Sequence, residues 1–253
     1  ELPECAGRNF SYAFLEMLNN AIEHSGGARV AVNLSRNESR AAFSIQDDGV
    51  GIFTKVSKAL GLEDKRHAIL ELAKGKFTTE PSEHTGEGIF FTSKCGDKFV
   101  LEADGISFTA DADSETLREN GRRAIGEEET LTSGTRVVFE IELDHKQTLR
   151  ELFREFTLAP EHYGFSKTLI PIRLLEYGDA SPLLLSRSQA RRLLARVERF
   201  EKVELDFSGV DEIGQAFADE IFRVFALKNP KVELTSSNCA EAVREMIRHV
   251  TET

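Results

Sequence analysis

The most restrictive feature of the sequence is the stretch of residues 9–25, which combines helical apolar spacing with an aligned row of polar side chains. Glu16, Asn20 and His24 are spaced four residues apart and therefore share one face of a helix. Such a helix, packed on a core yet aligning a carboxylate, an amide and an imidazole, indicates a binding or catalytic surface. Its apolar positions recur every three or four residues: Phe10, Phe14, Met17, Leu18, Ala21 and Ile22.

Around this helix the pattern of apolar residues predicts a sheet. Period-two alternation predicts strands over 29–35, 41–47, 98–104, 106–111 and 135–143. Residues 53–85, with a short helical pattern near 64–73, form too long a segment for an ordinary connection, so we expect a mobile functional loop there. Another helix is expected to start after Gly88.

The later part of the chain alternates strand and helix patterns, which predicts a layered α/β domain. A helical pattern over 145–156 is interpreted as a linker. We therefore divide the chain into a first domain, residues 1–144, a linker helix, residues 145–164, and a second domain, residues 165–253. Within the second domain strands are predicted over 166–177, 202–209 and 231–237, and helices over 186–200, 215–228 and 239–250.

Charge and hydropathy exclude several classes of protein. Residues 165–253 carry 13 Lys and Arg against 14 Asp and Glu, so nearly all of the net charge of −11 lies in residues 1–164. An acidic surface repels nucleic acid, so DNA binding is expected only through a further N-terminal domain upstream of residue 1. No apolar run is long enough to span a membrane, and the first residues lack the pattern of a signal peptide. The three separated cysteines favour a reduced, cytoplasmic setting.

Three side chains have the chemistry needed to bind and hydrolyse a nucleotide. Glu16 can accept a proton from a water that attacks a phosphoanhydride. Asn20 offers a neutral oxygen to Mg²⁺, which prefers oxygen ligands and keeps several waters. Asp47, at the end of a predicted strand, can accept a hydrogen bond from an exocyclic amine.

Two glycine motifs accompany these side chains. Gly49 and Gly51, just after Asp47, allow the backbone to approach a flat base. Thr85-Gly86-Glu87-Gly88 precedes a predicted helix, where free N–H groups form a ready anion site.

These three motifs, in this order and with a long loop between the second and third, resemble the GHKL ATPase superfamily of gyrase B, Hsp90, histidine kinases, MutL and anti-sigma serine kinases. The resemblance covers residues 9–143. It implies a Bergerat α/β sandwich with helices on one face of a mixed sheet, and binding of ATP with Mg²⁺. It also implies that Asn20 holds Mg²⁺, that Asp47 reads the adenine amine and that Thr135 supports the adenine pocket. Thr85, Gly86 and Gly88 would line the phosphates.

The resemblance also bears on catalysis. Glu16 matches the base of the ATPases and serine kinases, whereas typical histidine kinases have Asn at this position. The third motif lacks the further Gly found in some members, since Ile89-Phe90-Phe91 follow Gly88. Lys74 and Lys76 are candidates for the basic residue that the family often places at the γ-phosphate.

The second domain resembles the STAS-like domains of unknown function that follow GHKL domains in some bacterial proteins. In STAS anti-anti-sigma factors a phosphorylatable Ser or Thr starts the helix after a Ser-Gly strand end. Here Ser208-Gly209 fits the strand end, but the acceptor position falls near Gln215-Ala216, without a hydroxyl. The arginines of residues 187–199 form either a solvated face or a stripe that docks on an acidic surface, such as that of residues 1–164.

Three functional hypotheses follow. The first is a Mg²⁺-dependent regulatory ATPase whose nucleotide state switches the arrangement of the STAS-like domain, in bacterial signalling or transcription control. The second is a protein serine kinase that acts on a partner in trans. The third is a non-catalytic module that binds nucleotide or a protein partner. Self-association is a further expected interaction.

Overall fold

The computed structural model describes residues 2–77, 86–111, 114–119, 133–158, 164–178 and 183–252. These residues form two compact units, 1–153 and 154–253. Helix α5, Leu149–Glu155, spans the division between the units in sequence. The predicted domain limits at residues 144 and 164 stay a prediction.

The first unit contains a six-stranded sheet in the order β1-β2-β6-β3-β4-β5. Each pairing between neighbouring described strands is antiparallel. The expectation of a mixed sheet was therefore wrong. The hairpins β1–β2 and β3–β4 need only short turns, which suits antiparallel pairing. The strands are β1 (Val30–Arg36), β2 (Arg40–Asp47), β3 (Lys98–Ala103), β4 (Ile106–Asp111), β5 (Ser114–Glu119) and β6 (Thr135–Glu142). Of these, β5 was not predicted.

One face of the sheet is buried because apolar residues alternate along its central strands. Phe43 of β2 stacks on Phe139 of β6, with ring centroids 5.2 Å apart. Helix α1 (Glu4–Asn19) covers this face, and the rings of Phe10 and Phe14 pack edge-on against Phe43. The apolar half of the predicted helix is therefore its core side, as its spacing indicated, except at Ile22, which is 63% exposed.

The helix does not continue in α geometry to its end. Residues Asn20–His24 form a π turn directly after α1. π turns are rare in proteins overall, but those that occur are often found at functional sites. Asn20 and His24, two members of the polar row, thus belong to the π turn rather than to an α-helix.

The segment between the second and third motifs contains more helix than was predicted. Helix α2 (Ile52–Leu60) begins directly after Gly51 and ends at Gly61, which has the left-handed φ of 63°. The short predicted helix is α3 (His67–Lys74). The helix after the third motif is α4 (Gly88–Thr92).

The second unit contains a three-stranded parallel sheet in the order β7-β8-β9 with helical connections, as the alternating pattern predicted. Its strands are β7 (Lys167–Pro171), β8 (Lys202–Asp206) and β9 (Glu233–Ser237). Its helical segments are a 3₁₀ turn (Ile172–Gly178), α6 (Arg187–Leu194), a 3₁₀ turn (Val197–Arg199), α7 (Gln215–Ala218), a π segment (Asp219–Phe225), α8 (Ala226–Lys228) and α9 (Glu241–Glu252).

Two predictions for this unit were wrong in detail. Residues 172–178 form a 3₁₀ turn instead of the predicted strand. The apolar run around Leu174 and Leu175 is buried here, and because either geometry can bury such a run, its pattern did not distinguish them. The helix predicted over 186–200 ends at Leu194, and Arg196 takes a left-handed φ of 65° that interrupts it. Within the described ranges, no helix is both long enough and apolar enough to cross a bilayer.

A capping box at the start of α6 gives a first testable prediction. The Ser186 hydroxyl accepts the N–H of Gln189 at 3.2 Å, and Gln189 Oε1 accepts the N–H of Ser186 at 2.9 Å. We expect Ser186→Ala to lower the free energy of unfolding by about 1 kcal/mol, while Ser186→Thr retains most of it. Urea unfolding of the full chain measures this effect, and equal midpoints for both variants would contradict it.

Candidate nucleotide-binding site

A cavity of about 310 Å³ in the first unit collects most of the predicted site residues. This volume lies at the lower end of the range for small-molecule pockets. The cavity is bordered by the polar face of α1 and its π turn, the ends of β2 and β6, the start of α2 and the third motif. Its lining includes these predicted residues: Glu16, Asn20, His24, Asp47, Gly51, Gly86, Gly88 and Thr135.

Asp47, at the end of β2, is only 6% exposed. Its Oδ1 accepts the N–H of Gly49 at 2.9 Å and the N–H of Thr135 at 3.2 Å. Within the residues that the structure describes, Oδ2 takes part in no hydrogen bond, although the side chain borders the cavity. Burial raises the pKa of this carboxyl group, and the two N–H bonds oppose that change. Asp47 thus offers a fixed acceptor atom to a buried donor.

Thr135 joins this acceptor to the next helix. Its hydroxyl accepts the N–H of Ile52, the first residue of α2, at 3.0 Å. The preceding Gly134 has φ +87°, and a Cβ there would overlap the backbone carbonyl of Asp47. The chain can therefore pass this close to Asp47 only with glycine at position 134.

Glu16 lies against the third motif. A Cβ on Gly88 would overlap Glu16 Oε2, so the absence of a side chain at residue 88 leaves room for the carboxylate. Gly88 is the first residue of α4, and the cavity also reaches Gly86. The structure thus places the candidate base beside the backbone segment that was predicted to hold phosphates.

Asn20 lines the same cavity, in the first position of the π turn. Among the described residues, no three His, Cys, Asp or Glu side chains are grouped as a dedicated metal site would require. A single amide oxygen fits Mg²⁺, which retains waters and bridges to substrate phosphates. The residues present therefore fit a cation that is held jointly with a ligand.

The remaining predicted positions divide into those near the cavity and those elsewhere. Gly49 is not part of the lining; it donates its N–H to Asp47, and a Cβ at this position would overlap the Ser25 carbonyl. Thr85 lies outside the described residues. The exposed Asp48 accepts the N–H groups of Ala28 and Arg29 at 2.7 and 2.9 Å, so its carboxylate is occupied by the backbone of a turn. Cys95 is fully buried, and burial raises the pKa of its thiol to about 12, which agrees with a core residue.

Lys74 does not reach the cavity in this structure. Its Nζ lies 2.8 Å from Glu71 Oε1, and the two side chains are 3% and 4% exposed. Lys76 has a left-handed φ of 56° and is not part of the lining.

Sequence reasoning missed Lys55, a charged residue of the site, and Asp104, which lies outside the lining but holds the helix that carries Lys55. Lys55, on α2, lines the cavity and donates from Nζ to the carbonyl of His24 at 2.8 Å. Asp104, in the β3–β4 turn, accepts the N–H and the hydroxyl of Thr54 at 2.9 and 2.6 Å. The spacing of Lys55, one turn after Gly51 on an amphipathic helix, could have identified it. No local pattern marks Asp104.

The geometry agrees with a comparison against family models. The model for histidine kinase-, DNA gyrase B- and HSP90-like ATPases matches residues 7–145, more than half of the chain. The chain belongs to this ATPase family. All of the described GHKL motif residues fall inside the matched range, so the predicted α/β fold class is confirmed.

The second unit also has a match. The model for a STAS-like domain of unknown function covers residues 189–244, which lie after the GHKL domain as predicted. A search of curated proteins gave no match.

Proposed function

We propose that the chain is a Mg²⁺-dependent regulatory ATPase that binds ATP in the cavity of its GHKL domain. The observation that carries this proposal is that Glu16 and Asp47 line the same cavity. Each lies against a glycine: a Cβ on Gly88 would overlap the Glu16 carboxylate, and a Cβ on Gly134 would overlap the Asp47 carbonyl. Membership of the family supports ATP as the ligand.

We assign the following roles to the site residues. Asp47 accepts a hydrogen bond from the adenine amine through Oδ2, while Thr135 and Gly49 hold Oδ1. Asn20 holds Mg²⁺, which supplies charge neutralisation at the phosphates when it is bound. Glu16 accepts the proton of the attacking water, and the backbone at Gly86 and Gly88 contacts the phosphates.

The regulatory part of the proposal concerns the STAS-like domain. ATP binding and hydrolysis shift the chain between two arrangements, and the STAS-like domain or a second subunit responds to the shift. We place this activity in the cytoplasm, in bacterial signalling or transcription control. A ligand can shift such an equilibrium only through different affinities for the two arrangements, so the output depends on nucleotide binding.

Thermal unfolding of the chain with Mg²⁺ alone, with ATP and Mg²⁺, and with ATP and EDTA tests the proposal. At about 100 times its dissociation constant, a ligand of the folded state adds roughly 2.7 kcal/mol of stability. We expect a higher melting temperature with ATP and Mg²⁺ than with either control, together with slow phosphate release. Binding without release would instead support a non-catalytic nucleotide-binding module, and no shift at millimolar ATP would overturn the proposal.

A second candidate is a protein serine kinase that acts in trans. The position of Glu16 beside Gly88 suits proton removal from a serine hydroxyl as well as from water. The STAS-like unit has Gln215 and Ala216 at the start of its long helical run, so it offers no hydroxyl at that position. Transfer of radiolabelled γ-phosphate to a partner protein, in preference to water, would favour this candidate.

A further inference from the structure

The negatively charged side chains that line the cavity oppose the binding of a nucleotide. Among the residues that the structure describes, three carboxylate side chains line the cavity: Glu16, Asp47 and Glu87. A triphosphate carries several negative charges, and like charges at short range oppose binding. Cations must therefore balance the phosphates, and a single Mg²⁺ held by Asn20 offsets only part of their charge.

Lys55 is the one lysine or arginine among the described residues that line the cavity. Its Nζ donates to the carbonyl of His24 at 2.8 Å, and within the described ranges no carboxylate forms an ion pair with it. An ammonium group has three N–H donors, so this contact leaves two for other acceptors. A neutral carbonyl does not balance the charge of a partly buried ammonium, so an anionic ligand beside Lys55 would be bound favourably.

The backbone that carries Lys55 is held in place from two sides. Thr135 accepts the N–H of Ile52 at 3.0 Å, and Asp104 Oδ2 accepts the N–H of Thr54 at 2.9 Å. Asp104 also pairs with Lys65, with 2.9 Å between Oδ1 and Nζ. The first turn of α2 is therefore fixed beside the cavity before a ligand enters, which lowers the entropy cost of a contact from Lys55.

The alternative lysine is already engaged elsewhere. Lys74 is buried in an ion pair with Glu71 on α3. Moving its ammonium to a phosphate would leave the Glu71 carboxylate buried without this partner, which is costly. No such cost applies to Lys55, because the His24 carbonyl that it would share is neutral.

We propose that Lys55 contacts the phosphates of the bound nucleotide and supplies the protein cation that balances their charge. The inference rests on the proposed ATP site and assigns a residue of α2, outside the three motifs, to that site. Lys55 then distinguishes nucleotides from nucleosides, whereas Asp47 recognises the base that both share.

Lys55→Met tests this inference, with ATP, ADP and adenosine each titrated into the full chain in the presence of Mg²⁺. Met keeps the length of the apolar stem but removes the charge and the donors. We expect ATP affinity to fall about tenfold, since hydrogen bonds to charged groups are the strong ones, and ADP affinity to fall less. Adenosine affinity, measured by ligand-observed NMR, should not change.

Two further variants serve as controls. Lys58→Met removes an exposed lysine from the same helix, outside the cavity lining, and should leave all three affinities unchanged. Lys55→Arg should restore most of the ATP affinity because it retains a cation. The melting temperature of each ligand-free variant shows whether the fold is retained.

The outcomes separate this inference from the proposed function. If the parent chain binds ATP and adenosine but Lys55→Met binds ATP as well as the parent does, Lys55 makes no phosphate contact. A parallel loss of ATP and adenosine affinity would also overturn the inference, since Lys55 would then act by holding the His24 turn. A parent chain that binds neither ligand would overturn the proposed function, and this inference with it.

Discussion

Glu16→Gln is expected to lower the rate of phosphate release from ATP by about 100-fold or more while nearly preserving ATP affinity. General-base catalysis by one side chain contributes roughly 10²–10⁴-fold. Glutamine has the size of glutamate and fits the space that Gly88 leaves open, but its amide cannot take a proton from water. Steady-state phosphate release and equilibrium binding of ATP measure the two quantities separately.

Glu23→Gln provides the matched control for this variant. Glu23 lies in the same helical segment but is exposed and outside the cavity lining, so its replacement should leave turnover unchanged. If Glu16→Gln hydrolyses ATP at the parent rate, Glu16 is not the base. Equal loss of binding and turnover would point to a role in ligand binding instead.

Asp47→Asn is expected to weaken the binding of adenine nucleotides by about 100-fold or more. A site built to pair a particular polar group discriminates strongly, because a mismatch leaves buried polar atoms unpaired. Asparagine can retain the acceptor at Oδ1 for the N–H groups of Gly49 and Thr135. At the second position it presents an NH₂ donor to the adenine amine, which is also a donor.

The ATP-induced rise in melting temperature measures this effect, and Asp48→Asn is its control. Asp48 is the adjacent carboxylate, but it is exposed and accepts backbone N–H groups of residues 28 and 29. We expect the rise to disappear in Asp47→Asn and to remain in Asp48→Asn. A rise of parent size in Asp47→Asn would exclude Asp47 as the adenine contact.

The strands of the first unit other than β5 were predictable because their apolar residues alternate. In β2, Ala41, Phe43 and Ile45 are each buried, while the residues between them are more exposed. This period-two pattern is typical of a strand with one buried face, and it can be recognised from the residues of the strand alone. The order of the strands in the sheet leaves no comparable local signal, and the expectation of a mixed sheet was wrong.

The helical segments were less predictable for two different reasons. Helix α2 was read as part of a long loop because it directly follows the glycines of the second motif, although Phe53 and Val56 are buried at helical spacing. The π turn at Asn20–His24 was not predicted because five residues leave almost the same apolar pattern in α and π geometry.

The site itself was predictable where its chemistry is local and was missed where it depends on tertiary contacts. Glu16, Asn20 and Asp47 stand in short motifs that place them in sequence order around glycines. Lys55 and the His24 carbonyl are 31 residues apart in the chain, and Thr54 and Asp104 are 50 apart. Such pairs are formed by the fold, so no window of neighbouring residues contains them.

The π turn also makes the length of its segment a determinant of the site. A π turn holds more residues than an α turn of the same rise, and each residue of an α-helix rotates the chain by about 100°. Deleting one residue within Asn20–His24 would allow a return to α geometry, with the chain on either side of the turn in nearly the same orientation. The residues inside the turn would then change position around the helix, so a change of length here would alter which of them line the cavity. The number of residues in this turn, as much as their identity, sets which groups face the cavity.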